Sequence, residues 1–224
     1  MAQTDTTYLK EIQKNLGYFA AWLPSDSFEL GEYGAMDGKQ FERLGRINRW
    51  ITPNPSSKSG GTIFYTSKGD VSWKVDFGVA DASKKASVDV KISFKKKSSI
   101  FFLAQETTVV TTNNLRQVGE KLVDVYKEKG KDWKLEYVWI SDLVKAKRLL
   151  VLIALESGVS VTLSGKLPVT YQGKEVADLD LRELSLTKRM SSVTKFDPTD
   201  ATPLFRLYEV KDPITKKAYY TEYK

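Results

Sequence analysis

The sequence predicts an α+β protein built on a predominantly antiparallel, twisted β-sheet, with an N-terminal helix and a second helix near residues 113–129. Three observations predict this class. Most of the chain alternates apolar and polar residues, two segments change to a helical period, and glycine-containing turns separate the strands. We expect a single domain over residues 1–224, because this length suffices to bury a sizeable core.

The N-terminal helix is predicted by an apolar stripe with spacings of three and four residues. Thr4 or Asp5 offers an N-cap oxygen, and Gly17 is a suitable residue to end the helix. The residues of the stripe are Tyr8, Leu9, Ile12 and Leu16. We therefore expect an amphipathic helix at the start of the chain.

The second helix is predicted between Asn113 and Lys129. Asn113 or Asn114 can cap its first turn, and Gly130 can end it beside favourable lysine charges. The apolar side of this helix comprises Leu115, Val118, Leu122, Val125 and Tyr126. This segment has the strongest helical pattern in the chain.

Two neighbouring segments give the clearest strand predictions. The first alternates through Val71, Trp73, Val75, Phe77 and Val79, and the second through Ala86, Val88, Val90, Ile92 and Phe94. Asp37-Gly38 predicts a hairpin turn, since both residues tolerate positive φ. The continuous apolar run Leu149–Leu155 predicts a central strand that is covered on both faces.

Two further segments are predicted to be irregular. The proline, glycine and serine residues of 52–61 predict a flexible loop. Leu179 and Leu181 are out of phase with Leu184 and Leu186, which predicts a bulge at Arg182-Glu183 within one long strand.

The absence of histidine and cysteine excludes Ser-His-Asp and Cys-His catalysis and the usual ligands of zinc and copper. Only oxygen ligands remain. The best cluster is Glu175, Asp178, Asp180 and Glu183, but its spacing matches no calcium loop, and we favour polar residues on the wet face of a strand. We expect no metal, no cofactor and no enzyme activity, although a carboxylate-pair hydrolase stays open as an alternative.

The sequence also favours a cytoplasmic location. No secretory signal is recognisable at the N-terminus, and the absence of cysteine is typical of a protein in a reducing compartment. The longest apolar run, Leu149–Leu155, is far shorter than the roughly 20 residues of a membrane-spanning helix. We expect a cytoplasmic protein that becomes peripheral to, or inserted in, a membrane when activated.

The 35 lysine and arginine residues outnumber the 28 acidic residues, which gives a net charge of +7. Six lysines fall within one predicted hairpin region and are opposed there only by Asp89: Lys84, Lys85, Lys91, Lys95, Lys96 and Lys97. Lysine acts as a point charge, which suits an anionic membrane surface. Nucleic acid is less favoured, because the nearby aromatic residues Phe77 and Phe94 are predicted to face the core. The alternative is a solvated face that prevents edge-to-edge aggregation.

The order of these elements resembles that of the pore-forming domain of gasdermins, especially the short bacterial kind. The segments that carry the resemblance are the helix ending in Gly17-Tyr18, Trp22-Leu23-Pro24, Phe41-Glu42-Arg43-Leu44-Gly45, the alternating strands, the helix after the lysine-rich hairpin, and Tyr137 to Val144. The resemblance implies that the lysines and the first helix bind acidic lipid and that two strand pairs lengthen into membrane-spanning hairpins of an oligomeric pore. Val71 to Gln105 would supply the first pair. Leu149–Leu155, apolar on both faces, and the missing N-terminal cysteine depart from the family pattern.

We therefore expect a non-enzymatic, membrane-active protein that binds anionic lipid through the lysine-rich hairpin and forms homo-oligomers. The alternative is a soluble, β-rich binding module that recognises a protein partner through a sheet face or an exposed edge.

Overall fold

The computed structural model describes residues 3–21, 27–129, 133–186, 192–196, 198–212 and 217–224. In these ranges the chain forms two α-helices, α1 (Gln3–Leu16) and α2 (Leu115–Lys129), and thirteen strands in two antiparallel, twisted sheets. The predicted α+β class is confirmed. The strands are β1 (Phe19–Ala20), β2 (Glu32–Asp37), β3 (Gln40–Arg46), β4 (Pro53–Thr66), β5 (Val71–Ala80), β6 (Lys85–Phe94), β7 (Ile100–Thr112), β8 (Tyr137–Ala154), β9 (Val159–Pro168), β10 (Leu184–Leu186), β11 (Val193–Phe196), β12 (Thr199–Lys211) and β13 (Tyr219–Glu222).

The chain divides into two compact units. Unit 1 comprises Met1–Tyr8, Gly60–Thr107 and Ala146–Asp200, and unit 2 comprises Leu9–Ser59, Thr108–Lys145 and Ala201–Lys224. Several elements, including β4, β7, β8 and β12, begin in one unit and end in the other.

Unit 1 is a two-layer β-sandwich. One layer is a four-stranded sheet in the order β10-β9-β6-β5, and the other contains the parts of β4, β7 and β8 that belong to this unit, with β11 paired to the end of β8. The inner side chains of β6 and β9 pack against Phe101, Leu103, Leu150 and Leu152 from the second layer. Burial of these two apolar faces forms the core of the unit.

Strand β6 confirms the predicted alternation. Its apolar residues from Ala86 to Phe94 are at most 2% exposed, whereas Ser87, Asp89 and Lys91 face solvent. The period of two therefore places one face of this strand in the core and the other in water.

In unit 2 the strands follow the order β1-β12-β8-β2-β3, and β13 pairs with β12. One face carries an aromatic cluster in which Phe205 contacts the rings of Phe19, Phe28 and Phe41 at centroid distances of 6.0, 5.0 and 5.8 Å. The other face carries a second core, in which apolar residues of α2 share a cluster with Trp139 and Val210. The Asp37-Gly38 turn joins β2 to β3 as predicted, with Gly38 at a φ of +60°.

Both predicted helices are confirmed, and so is Gly17 at the end of α1, but the predicted N-cap of α1 is wrong. Thr4 and Asp5 lie inside α1, and the N–H of Gly17 donates to the Gln13 carbonyl at the end of the helix. Before α2, the Asn114 carbonyl accepts from the Val118 N–H, while its side chain accepts from the Thr52 N–H and donates to the Trp50 carbonyl. Asn114 therefore anchors the preceding chain as well as starting the helix.

The prediction of a flexible loop at 52–61 is wrong, because Pro53 to Gly61 belong to β4. The Thr52 carbonyl accepts from the Asn113 N–H at 2.9 Å, and the Gly61 carbonyl accepts from the Thr107 hydroxyl at 3.0 Å. Pairing with β7 supplies backbone partners that local composition could not predict.

Two strand predictions also require correction. The strand predicted at Leu149–Leu155 is not separate but is the second part of one 18-residue strand, β8, whose residues from Leu149 to Ala154 are buried as expected. The long bulged strand predicted across 179–186 is absent: Val176–Asp178 and Leu181–Glu183 are 3-10 turns, and only β10 forms a strand. The Asp180 side chain caps the second turn by accepting from the Arg182 N–H. Trp22-Leu23-Pro24 and Gly130 lie outside the described residues.

Candidate functional site

Residues 60–107 form a two-stranded ribbon that passes from one layer of unit 1 to the other. We call this segment the ribbon. In the second layer the Ser67 N–H donates to the Ile100 carbonyl at 3.0 Å, and at the layer change the Lys95 N–H donates to the Asp70 carbonyl at 2.8 Å. In the four-stranded sheet Val71 then lies opposite Phe94. The same two segments therefore stay paired where the ribbon bends.

The turn from β8 to β9 joins the bend of the ribbon. The Ser98 N–H donates to the Ala154 carbonyl at 2.7 Å, and the Lys97 N–H donates to the Ser157 hydroxyl at 3.1 Å. We call residues 67–70, 95–99 and 155–158 the corner. Hydrogen bonds from backbone N–H groups thus hold all three layer changes together at one end of unit 1.

Three of the six predicted lysines lie at the corner, where Lys95, Lys96 and Lys97 are exposed. Lys96 Nζ is 3.0 Å from Asp70 Oδ1, and Lys95 Nζ donates to the Gly69 carbonyl at 3.1 Å. Lys97 has no carboxylate within salt-bridge distance among the described residues. With Lys68, the corner carries four lysines against Asp70 and Glu156, a net charge of +2.

Lys68 was missed by the sequence analysis because it lies 27 positions before Lys95. The spacing of the lysines gave no signal for it. The only usable signal would have been the Lys68-Gly69-Asp70 turn that precedes the alternating strand at Val71, combined with a correct pairing of β5 to β6.

Lys84 and Lys85 lie at the other end of β6, away from the corner. They close the turn between β5 and β6, where Lys84 adopts a φ of +59° and Asp81 accepts from the N–H groups of Ser83 and Lys85. Ten residues of extended strand separate the two ends, a distance of about 30 Å. The six lysines therefore do not form one binding site.

Lys91 occupies a third position, near the middle of the outer face of the sheet. It lies directly opposite Lys74, and the next outward pair along the strands is Asp76 and Asp89. Lys74 Nζ contacts Asp76 Oδ1 at 2.6 Å, and the Ser164 hydroxyl donates to Asp89. The outer face is thus a mixed-charge surface rather than a uniformly basic one.

The ribbon also has an exposed edge. Within the described residues β5 pairs only with β6, and β4 pairs only with β7. The register of β5 shifts between Phe77 and Ala80, and the side chain of Val79 is 94% exposed. An irregular end of this kind hinders pairing with other chains at that end of β5. The first seven residues of β5 remain accessible at the edge.

Of the acidic residues considered for a metal, Asp180 instead binds Arg182 and caps a 3-10 turn. Arg182 donates from Nε to Asp180 Oδ1 at 2.9 Å, and Asp180 also accepts from the Arg182 N–H at 3.0 Å. These contacts lower the pKa of Asp180 and raise the pKa of Arg182. No group of three or more potential metal-ligating side chains is found in the part of the chain that the structure describes.

No protein-family model matches the sequence, and no curated protein matches it either. Across the described residues, neither helix has the length and apolar character needed to cross a membrane. The function must therefore be argued from the geometry of the ribbon.

Proposed function

We propose that the protein acts on membranes without catalysing a reaction. In this proposal the corner lysines bind anionic lipid, and the ribbon then separates from β9 and enters the bilayer as an extended hairpin. The observation that carries the proposal is the continuous pairing of the ribbon through the corner. A ribbon that is already paired on both sides of its bend can straighten without exchanging partners between its own strands.

The chemistry of the ribbon supports this proposal. β5 and β6 each contain ten residues, and a tilted strand needs about 9–11 residues to cross a bilayer. In β6 every second side chain is apolar and buried in unit 1, while the intervening residues are polar. After insertion the apolar face would contact lipid and the polar face would contact water, so neither face would change the polarity of its surroundings.

The movement breaks backbone hydrogen bonds in addition to the core packing of β6. β6 pairs with β9 along its whole length, from Lys85 opposite Pro168 to Phe94 opposite Val159. Unpaired backbone groups are costly in lipid, so a released β6 requires a new partner strand. The exposed edge of β5 on a second copy of the chain is a suitable partner, which is why the proposal includes a homo-oligomer.

Leakage of a dye from vesicles tests the proposal. Purified protein, intact and after limited proteolysis, is added to vesicles made of anionic lipid and to vesicles made of zwitterionic lipid. We expect leakage only from the anionic vesicles, because the corner lysines require a negative surface. Absence of leakage from anionic vesicles under both conditions contradicts the proposal.

An engineered disulfide tests whether the ribbon must leave β9. Ser93 of β6 and Ser160 of β9 lie opposite each other with their hydroxyl oxygens 2.8 Å apart, close to the geometry of a disulfide. The oxidised Ser93→Cys/Ser160→Cys variant should not cause leakage, and reduction should restore it. The matched control is Ser72→Cys/Ser93→Cys, which joins β5 to β6 inside the ribbon and should cause leakage in both redox states. Equal leakage by the two oxidised variants contradicts release of the ribbon.

The exposed edge of β5 favours a second candidate function, a module that binds a protein partner by adding a strand. A stable dimer or a co-purifying protein, together with indifference to anionic vesicles, would support this alternative. Val75→Pro removes an N–H from the middle of β5 and should abolish such pairing only if the edge is used.

A further inference from the structure

The exposed edge of β5 carries a row of apolar side chains that unit 1 covers only in part. The row comprises Val71, Trp73, Val75 and Phe77, which pack against the core but remain partly exposed. On the neighbouring strand β6, the apolar residues from Ala86 to Phe94 are at most 2% exposed. Within the described residues β5 pairs only with β6. Apolar surface and unpaired backbone groups therefore lie side by side at the free edge of β5.

The outer face of the same strands brings like charges together. Lys74 lies directly opposite Lys91, and Asp76 lies directly opposite Asp89. Like charges at directly opposite positions destabilise a pair of strands. Lys74 and Asp76 contact each other along β5, but both side chains are more than half exposed, so this ion pair contributes little. The charges of β5 are thus poorly matched within one chain and remain accessible to a partner strand.

A second copy of β5 matches both the charges and the apolar row. In an antiparallel pair of identical strands, a two-fold axis through Val75 places Val75 opposite Val75 of the second copy. Lys74 then lies opposite the second copy's Asp76, and Trp73 lies opposite its Phe77. Each contact occurs twice, because an interface of this symmetry uses the same surface on both copies. Opposite charges and aromatic pairs at opposite positions stabilise a sheet.

Other registers are less favourable. An axis through Lys74 or through Asp76 places two like charges opposite each other at the centre of the interface. A register shifted by a single residue brings the apolar row of one copy beside the polar row of the other. Of the registers that keep the apolar row on one side, only the axis through Val75 places Lys74 opposite Asp76. The sequence of β5 therefore selects one symmetric pairing.

We propose that two copies of the folded chain form a symmetric dimer through β5, with Trp73 to Phe77 antiparallel to the same segment of the second copy. The two four-stranded sheets then become one continuous sheet, and the partner strand covers the apolar row. This inference concerns the folded chain in water and does not rest on the proposed membrane activity. In that activity β5 receives a released β6 instead, so the dimer closes the edge that insertion needs.

Analytical ultracentrifugation of the full chain, without lipid, tests the dimer. We expect a reversible equilibrium between monomer and dimer with a Kd below about 100 μM, as for a small transient interface. Lys74→Glu and Asp76→Lys should each weaken self-association by about tenfold or more, because like charges then lie opposite each other across the interface. Neither variant should unfold, since each gains an opposite charge on β6, at Lys91 or at Asp89.

An equimolar mixture of these two variants provides the sharpest test. The acidic pair of one variant faces the basic pair of the other, so the mixture should dimerise about as tightly as the unsubstituted chain. A mixture that associates no better than the separate variants overturns the proposal. An unsubstituted chain that stays monomeric at all concentrations also overturns it, and this result is expected if the edge receives a different protein.

A single introduced cysteine tests the register, because the chain contains no cysteine. Opposite residues of an antiparallel pair have Cα atoms about 4.5–5.5 Å apart, which a disulfide can span. Val75→Cys should therefore yield a cross-linked dimer on mild oxidation. The matched control is Ser72→Cys on the same strand, whose two copies would lie about 20 Å apart and should not cross-link. Equal cross-linking of the two variants, or none in Val75→Cys, contradicts the assigned register.

Discussion

The two sheets of this protein are covered in different ways. In unit 2 the sheet is buried on both faces, by the aromatic cluster around Phe205 on one side and by the α2 cluster around Trp139 on the other. In unit 1 the four-stranded sheet is buried on one face only, and its outer face carries Lys74, Asp89 and Lys91 in contact with water. A sheet covered on both sides is suited to act as a scaffold, whereas a sheet with one wet face can exchange a strand at lower cost.

The largest expected effect comes from breaking the scaffold in unit 2. Phe205 is 1% exposed and contacts three other phenylalanine rings. Phe205→Ala should lower the free energy of unfolding by about 3–5 kcal/mol, because it removes buried apolar contacts and leaves a cavity. Urea denaturation followed by circular dichroism measures this loss.

Val79→Ala is the control in unit 1, because the side chain of Val79 is almost fully exposed. Its effect on the free energy of unfolding should be within about 0.5 kcal/mol. A loss for Phe205→Ala as small as that for Val79→Ala would mean that the aromatic cluster of unit 2 is not a tightly packed core.

A smaller effect is expected from Gln105, which ties the 3-10 turns of unit 1 to β7. Its amide donates to the carbonyls of Ala177 and Leu179 at 3.1 and 2.6 Å and accepts from the Leu181 N–H at 3.2 Å. Gln105→Ala should lower the free energy of unfolding by about 1–3 kcal/mol, because partly buried backbone groups lose their partners. Gln105→Met retains the length of the side chain without these hydrogen bonds, so it should show most of the same loss in urea denaturation. Full stability of Gln105→Met would show that packing, not hydrogen bonding, holds the turns.

Two double variants, each of which removes two positive charges, compare the corner with the turn between β5 and β6. Lys95→Gln/Lys97→Gln should weaken binding to anionic vesicles by roughly tenfold or more, since each lysine near a membrane surface contributes about 1 kcal/mol. Lys84→Gln/Lys85→Gln should have a clearly smaller effect, because these lysines lie at the opposite end of β6. Vesicle co-sedimentation at two salt concentrations measures both. Equal losses would indicate a diffuse charge effect instead of a corner that faces the membrane.

The smallest effect concerns Asp81 in the turn between β5 and β6. Hydrogen bonds from Ser83, Lys166 and Lys85 hold the pKa of this carboxyl well below its usual range. A carboxyl with a lowered pKa in the folded state contributes stability above its unfolded pKa of about 3.9, and this contribution is lost as the pH falls through its lower folded value. Asp81→Asn should therefore slightly lower the Tm at pH 7, and the difference from the unsubstituted chain should shrink below about pH 4. A Tm difference that does not change with pH would assign the effect to the shape of the turn rather than to its charge.

Much of the fold could be predicted because period and turn chemistry are local properties. The alternation from Ala86 to Phe94 correctly identified the buried face of β6, and the helical stripe of 113–129 correctly identified α2. The errors occurred where a long-range partner overrides local composition. Residues 53–61 are extended because β7 supplies hydrogen bonds, and residues 176–183 form turns whose backbone is bonded by the distant side chain of Gln105.

The candidate site was less predictable than the fold. The lysines of the hairpin are close in sequence, but ten extended residues separate Lys84 and Lys85 from the corner, and Lys68 joins the corner from a different turn. Residues that are close in sequence on an extended strand can therefore be too far apart in space to share a binding site.

By itself, the sequence determined which faces of β6 and α2 are buried, because a strand or helix period is set by the geometry of the backbone. It also determined that histidine and cysteine chemistry are excluded. Only the tertiary structure decided which charges meet, because the corner brings together turns from three parts of the chain. The reason is that strand pairing depends on the hydrogen bonds and packing of the whole sheet, and these long-range interactions leave no signature in any short segment.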